Sequence, residues 1–390
     1  MDLSKARIGL ALSGGGIRAS IFHLGMLQYL AEVGLFERIS NISSVSGASL
    51  VMGAIFAANG NKWPNSHEFL NHVQPRVRRI ILDNNIQASA LRRLPFSPWY
   101  WRNRVKLLAK VLEEKWGING NLQALPRKPF WEINCTTFET GRNFRFRRDY
   151  MGDPLIGYVR SPELPISHMI AASSAFPVLI GPYVLETGGM DWIRPKPGGS
   201  FANAKKVVQP PQINVDDHYT LWDGGVYDNL GLDALYRVGG GFEREMDSTI
   251  DFLIVSNAGA PIGHQVRKGH LSPANLKRLL DIAVNQVDVL RSQQVYSEII
   301  SAGKGLYLKI GLSAGQVAQI LGVPQDTYTP LVKGYLSTAD TTRVRDYPTT
   351  LNSPSAENFE LIFRHGYENI KCAVLFSPWR GAGKNLVTFS

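Results

Sequence analysis

Twice before Gly60 the chain runs a short apolar segment into a turn of small residues and then into a helical stripe. Ile8 to Leu12 is the first apolar run, closed by Ser13-Gly14-Gly15-Gly16. The stretch that follows sets Ile21, Phe22, Met26, Tyr29, Leu30 and Val33 on one helical face, with Gly34 as a stop. Ile39 to Val45 is the second run, and past Ser46-Gly47 an apolar helix of small residues extends to about Ala58. Strand–helix–strand–helix at this spacing requires crossover connections, which predicts an α/β three-layer sandwich: a mostly parallel central sheet with helices on both faces.

Further along, Phe130 to Cys135, Asn143 to Phe146 and Phe252 to Val255 read as strands, and Ser272-Pro273 opens a long amphipathic helix. Its stripe is Leu276, Leu279, Leu280, Ala283, Val287 and Leu290. The expectation is one α/β domain over 1–390. Within it, 62–128 is a helical insertion rich in basic and aromatic residues, 187–217 a long Gly/Pro-rich loop able to act as a lid, and 300–390 a C-terminal extension of the same domain. Hydrophobic residues at 44% against 19% charged exclude a disordered chain. The longest clean apolar run, Val51 to Ala58, is too short to cross a bilayer. The start, MDLSKARIGLALSGGG, lacks the apolar core and cleavage site of a secretory signal, so a cytoplasmic location is expected. Two cysteines, Cys135 and Cys372, make neither a disulfide framework nor a zinc site, and no histidine pairing suggests a metal; no cofactor is expected.

Three segments carry chemistry. In Gly14-Gly15-Gly16-Ile17-Arg18-Ala19, glycines between a strand and a helix let backbone N–H groups converge on an anion. A dinucleotide pyrophosphate fits, because Gly14-x-Gly16-x-x-Ala19 satisfies the Rossmann pattern; so does the oxyanion of an acyl-transfer intermediate, and a simple packing turn is the third reading. Ser44-Val45-Ser46-Gly47-Ala48 stands where the second strand hands over to a helix, the setting of a nucleophile elbow, and also of an ordinary serine N-cap. Ser49 is the nearest rival to Ser46, with bulky Val51 behind it. In Trp222-Asp223-Gly224-Gly225-Val226-Tyr227-Asp228-Asn229, a carboxylate beside paired glycines can approach a nucleophile unobstructed, with Asp228 as its alternative and an Asp-Gly turn as the plainer account. His264, His270 and His365 follow in the order that a Ser–Asp–His enzyme uses, but none lies in a distinctive motif.

Together the three segments resemble the patatin-like phospholipases. That family has a Gly-rich oxyanion loop after its first strand, a serine in a Gly-x-Ser-x-Gly elbow, and an aspartate in Asp-Gly-Gly or Asp-Gly-Ala. Asn134-Cys135-Thr136 through Thr140-Gly141-Arg142, and Ala171-Ala172-Ser173-Ser174-Ala175-Phe176-Pro177, also look like the family. The resemblance implies a lipid acyl hydrolase that cleaves fatty-acyl esters of phospholipids or lysophospholipids through an acyl-enzyme. Ser46 would be its nucleophile and Asp223 its base, with Gly14, Gly15, Gly16 and Arg18 around the oxyanion and Gly47, Gly224 and Gly225 shaping the turns. Ser44 and Ala48 depart from the elbow pattern. The alanine adds only a methyl, whereas the serine adds a hydroxyl able to alter the turn or hydrogen-bond near the nucleophile. Two readings stand against this one. A Rossmann-type NAD(P) oxidoreductase needs an acid at the end of the second strand, and Glu32 and Glu37 fall before it. A non-catalytic lipid- or anion-binding module would bind without hydrolysis.

Charge narrows the partner. Ten basic residues against three acidic ones between Arg76 and Lys115 hold seven of the chain's net +10. Trp99, Tyr100 and Trp101 lie among them, with Arg102 and Arg104 following. Basic residues beside Trp and Tyr suit an anionic membrane surface, so peripheral membrane association is expected. A solvated helix with its aromatics packed inward is the competing account, and nucleic acid is disfavoured because no nucleic-acid motif accompanies the segment.

Overall fold

A computed structural model describes residues 3–177, 180–194, 205–206, 218–237, 241–242, 250–263 and 273–377. The first units form as the pattern predicts: β1 (Ile8–Leu12), α1 (Gly16–Glu32), β2 (Ile39–Ser44) and α2 (Gly47–Ala58). The insertion is helical: α3 (Ser66–Glu68), α4 (Gln74–Asp83), α5 (Ile86–Arg93), α6 (Trp99–Arg102) and α7 (Arg104–Trp116). A strand-rich stretch follows, with β3 (Phe130–Thr137), β4 (Asn143–Phe146), β5 (Tyr150–Asp153) and β6 (Gly157–Arg160). Then come α8 (Ile166–Ser173), β7 (Tyr183–Glu186), β8 (Trp192–Arg194), β9 (Lys205–Lys206), β10 (His218–Asp223) and α9 (Gly225–Asp228). A small pair, β11 (Tyr236–Arg237) and β12 (Gly241–Phe242), precedes β13 (Phe252–Asn257), α10 (Pro273–Gln294) and β14 (Gly305–Lys309). The chain closes with α11 (Ala314–Ile320), α12 (Gln325–Tyr328), α13 (Thr338–Asp346) and α14 (Ala356–Phe376).

One sheet runs in the order β14-β13-β1-β2-β3-β4-β5-β6-β8-β9, with β10 joined to β3 and β7. From β14 to β3 every pairing is parallel, and β1, buried along its whole length, lies at the centre of this part. Beyond β3 the pairings turn antiparallel. The sheet is therefore mixed, its parallel part forming the core. The physical reason is connection length: short turns such as Thr140-Gly141 can join only antiparallel neighbours. Within the Gly/Pro-rich 187–217 stretch β8 and β9 are strands, not loop; residues 195–204 and 207–217, and with them most of the proposed lid, lie outside the described residues.

The insertion shares the main core, burying Phe69, Val77, Ile81, Leu108 and Leu112 with residues of α1, α2 and β3. The C-terminal stretch belongs to the same body, since β14 is the sheet's edge strand and α14 packs along α1. That crossing depends on two glycines. A Cβ on Gly25 would stand 2.0 Å from the Phe363 carbonyl oxygen, and one on Gly366 2.0 Å from that of Phe22. The predicted stripe of α10 is the exception to the packing. Leu279 and Leu290 are exposed, because apart from the helical residues that continue it α10 packs chiefly on α9.

Candidate active site

The sheet register brings the predicted serine and aspartate together. β3 pairs with β4 through residues 133–136, which occupies one of its edges. The other edge takes β2, ending with Ser44 opposite Ile133, and then β10, ending with Asp223 opposite Cys135. β2 and β10 run in opposite senses, so their last residues meet end to end beside Asn134. The Asn134 amide fixes the junction by donating to Ser43 Oγ at 2.8 Å and to the Ser44 carbonyl at 2.9 Å.

Just past that junction the chain turns sharply. Ser46 caps α2 with φ 52° and ψ −115°, a left-handed conformation that costs a non-glycine residue about 1–3 kcal/mol. Its flanking residues Ser44, Val45 and Gly47 are buried while Ser46 itself is partly exposed. An ordinary N-cap has extended dihedrals and a side chain turned back onto the helix; Ser46 has neither. The elbow presses against the glycine loop so tightly that a Cβ on Gly47 would lie 2.1 Å from the Gly16 carbonyl oxygen.

Asp223 is 97% withdrawn from solvent, its residual exposure being 3%. Burial pushes its carboxyl from 3.8 up to about 7, opposed by the Gly225 N–H, which donates to Oδ1 at 2.7 Å, and by a hydrogen bond from the Ser46 side chain. The Ser46 hydroxyl therefore stands close enough to the Asp223 carboxyl to favour its ionised form. The rivals lie elsewhere. Ser49 is buried inside α2. Asp228 faces Arg291 at 3.4 Å and accepts the N–H groups of Leu230 and Asp233. His365 is buried and accepts the Gly311 N–H at 2.8 Å, while His264 and His270 lie outside the described residues.

The glycine loop needs two corrections. Gly14 donates its N–H to the Asn229 carbonyl at 3.1 Å and has none to offer an oxyanion. Arg18 is buried and aims away from the dyad. Its guanidinium donates to the carbonyls of Ala258 at 3.1 Å and Arg345 at 3.2 Å, and to that of Tyr347. It therefore clamps the end of α13 and the residue that follows it onto α1, a role that the sequence could not show because the partners lie 240 to 329 residues away. The Gly15 and Gly16 N–H groups remain, without hydrogen-bond partners among the described residues; the next N–H, of Ile17, goes to the Thr350 carbonyl at 2.8 Å. No acid stands at the end of β2, where a dinucleotide fold would need one.

Sequence reasoning missed the residues that hold this geometry. Thr136 Oγ1 donates to the Asp223 carbonyl at 2.9 Å and accepts the Tyr227 N–H. The end of α8 receives the N–H groups of Asp223, on the Ala175 carbonyl, and of Gly224, on the Ser173 carbonyl. Both groups fall inside stretches that the resemblance had already marked, which was the available signal.

Comparison with known proteins identifies the family. Residues 10–236 match the family model for patatin-like phospholipase, a span containing both Ser46 and Asp223. A stretch of 49 residues is 41% identical to cytosolic phospholipase A2 gamma of Mus musculus, covering 13% of this chain and 8% of that protein. The human GIVD cytosolic phospholipase A2 structure superposes with a TM-score of 0.53 at 16% identity, over 97% of this chain and 63% of that one. The chain thus spans less than two thirds of either relative's length. Since the family model covers more than half of the chain, the protein belongs to the patatin-like phospholipase family.

Proposed function

We propose that the protein is a serine carboxylic-ester hydrolase of lipids, cleaving fatty-acyl esters of phospholipids or lysophospholipids with Ser46 and Asp223 as a dyad. The observation that carries this reading is the Ser46 hydroxyl, held at a strained elbow where the ends of β2 and β10 meet, beside a buried carboxyl with a pKa of about 7. Ionised Asp223 takes the hydroxyl proton as Ser46 Oγ attacks the ester carbonyl carbon. The oxyanion that forms is met by the Gly15 and Gly16 N–H groups. Collapse breaks the bond to the leaving alcohol, which receives its proton from Asp223 and departs, leaving the acyl group on Ser46. Asp223 then takes a proton from water as it attacks the acyl-enzyme, and returns it to Ser46 Oγ as the fatty acid leaves. A fluorophosphonate probe should label the wild type and not Ser46→Ala. Lipid hydrolysis that survives both Ser46→Ala and Asp223→Asn would refute the dyad.

The same chain carries a face suited to an anionic membrane. Of the expected aromatics, Tyr100 packs against the core, but Trp99 and Trp101 are 57% and 59% exposed. They are joined by Phe96, 86% exposed, and Leu91, 57% exposed, with exposed Arg92, Arg102 and Arg104 around them. Apolar rings beside arginines fit a lipid interface, where rings enter the headgroup layer and guanidiniums meet phosphates. This face is rooted beside the site. Gln87, near the start of α5, accepts the Thr350 hydroxyl at 2.8 Å and the Leu351 N–H at 2.9 Å, and the Thr350 carbonyl in turn holds Ile17 next to the glycine loop. We assign peripheral membrane docking to it.

A further inference from the structure

Under the elbow lies a chain of buried hydroxyls that the proposed mechanism does not use. The Ser46 N–H donates to Ser173 Oγ at 3.0 Å, Ser173 Oγ lies 3.0 Å from Ser49 Oγ, and Ser49 Oγ lies 2.9 Å from Ser44 Oγ. Ser44 Oγ accepts the Trp131 indole N–H at 2.8 Å and reaches the Glu132 carbonyl at 3.4 Å. All three serines are fully buried.

The proton direction along this chain can be assigned. Both outer partners, the Ser46 N–H and the Trp131 N–H, can only donate, whereas the Glu132 carbonyl can only accept. Each hydroxyl has one proton. One arrangement therefore uses every contact: Ser173 donates to Ser49, Ser49 to Ser44, and Ser44 to Glu132. All bonds then point one way, from the nucleophile's peptide down to β3, the alignment in which successive hydrogen bonds polarise one another.

Ser173 is also the residue at which the two halves of the site are tied to one another. Its side chain takes the N–H of Ser46, its carbonyl takes the N–H of Gly224 at 3.4 Å, and the Ala175 carbonyl two residues on takes the N–H of Asp223 at 3.1 Å. We infer that Ser173 is a positioning residue that sets the Ser46 hydroxyl against the Asp223 carboxyl, with Ser49 and Ser44 as its buttress. Ser44, the departure from the family's elbow glycine, is then the foot of this support, because a glycine there would leave the Trp131 N–H and the Ser49 hydroxyl without their acceptor. The inference rests on the dyad reading.

The test compares Ser173→Ala, Ser49→Ala, their double variant and Ser46→Ala. The readouts are the labelling rate of Ser46 by a fluorophosphonate, kcat and KM on a soluble short-chain ester, and the thermal midpoint. Ser173→Ala should lower the labelling rate and kcat together by about 10²-fold, the scale of an ångström-size misplacement, with KM within about twofold. Ser49→Ala should show a smaller loss of the same kind, and the double variant should be no worse than Ser173→Ala, since both break one chain. A wild-type labelling rate in Ser173→Ala, or an effect confined to the thermal midpoint, overturns the inference. If Ser173→Ala does not fold, Ser49→Ala decides, as its side chain touches neither dyad residue: unchanged kcat overturns the inference. Hydrolysis persisting in Ser46→Ala is a separate result that overturns the dyad itself.

Discussion

A base with a pKa of about 7 makes activity and stability respond to pH in opposite directions. In the dyad reading Asp223 must be ionised to take the serine proton. At pH 5, two units below its pKa, about 1% of the carboxyl is ionised. kcat/KM should therefore climb roughly a hundredfold from pH 5 to a plateau above pH 8, with a midpoint near 7. An aspartate at its ordinary 3.8 would give a flat profile over that range. Stability runs the other way. The folded carboxyl keeps its proton up to about pH 7, whereas the unfolded one loses it near 3.8, so between those values the native state binds more protons and stability falls as pH rises. From pH 5 to pH 8 the loss comes to about 2.5 kcal/mol, at 1.36 kcal/mol per unit. Asp223→Asn should be inactive yet, relative to the wild type, gain about that much stability between pH 5 and pH 8, measured as a urea midpoint at each pH. Asp288 is the control, because burial also pushes its carboxyl up to about 7. The buried histidines do not interfere, since burial pulls His23 down to about 4 and His365 to about 3. An acid limb that persists unchanged in an Asp223→Glu variant but vanishes in Asp288→Asn would refute the assignment, as would a stability gap between Asp223→Asn and wild type that is equal at pH 5 and pH 8.

Restoring the family's glycine with Ser44→Gly should destabilise the protein by about 1–3 kcal/mol, the cost of stranding the buried Trp131 indole N–H; an unchanged denaturant midpoint would contradict this. Gly366→Ala should abolish soluble expression or give an expanded chain by size exclusion, because its methyl would meet the Phe22 carbonyl at 2.0 Å. Replacing Phe96, Trp99 and Trp101 together by alanine should remove co-sedimentation with vesicles of anionic phospholipid while leaving hydrolysis of a soluble short-chain ester intact; wild-type sedimentation would dismiss the docking face. Arg18→Gln should lower the thermal midpoint by several degrees, since one amide cannot reach the carbonyls of Ala258, Arg345 and Tyr347 together.

What the sequence disclosed was local. A fully buried strand followed by a glycine turn and an apolar stripe can be read residue by residue, and so β1, α1, β2 and the elbow at Ser46 were legible. Asp223 was legible as a carboxylate beside glycines, but its partnership with Ser46 depends on two strand ends meeting along one edge of β3, and no spacing encodes that. Arg18 illustrates the limit more sharply. An arginine after a glycine loop suggests an anion, yet its guanidinium is spent on carbonyls that come from Ala258 and from the far end of the chain. The α10 stripe failed for a related reason: periodicity reports that a helix has an apolar face, not that anything covers it. Likewise an isolated glycine in a helical pattern, such as Gly25 or Gly366, reads as a weak point until the opposing helix is seen.

In the dyad reading a single carboxyl serves without histidine, and the charges that act on it bear on how. In a Ser–His–Asp site the aspartate must stay ionised throughout, to hold an imidazolium, and cations or multiple donors that depress its pKa help. A Ser–Asp site asks the reverse, because the same carboxyl must take and release a proton near neutral pH. No cation is among the groups that shift Asp223, and the arginines of the surrounding body are committed elsewhere: Arg18 to carbonyls, Arg145 to Asp233 at 3.2 Å, Arg147 to Glu132 at 3.5 Å, and Arg291 to Asp228 at 3.4 Å. Asp223 is left with neutral donors, the Gly225 N–H and the Ser46 hydroxyl, and burial prevails over both. A guanidinium placed beside Asp223 would pull its pKa back toward the ordinary range and weaken it as a base.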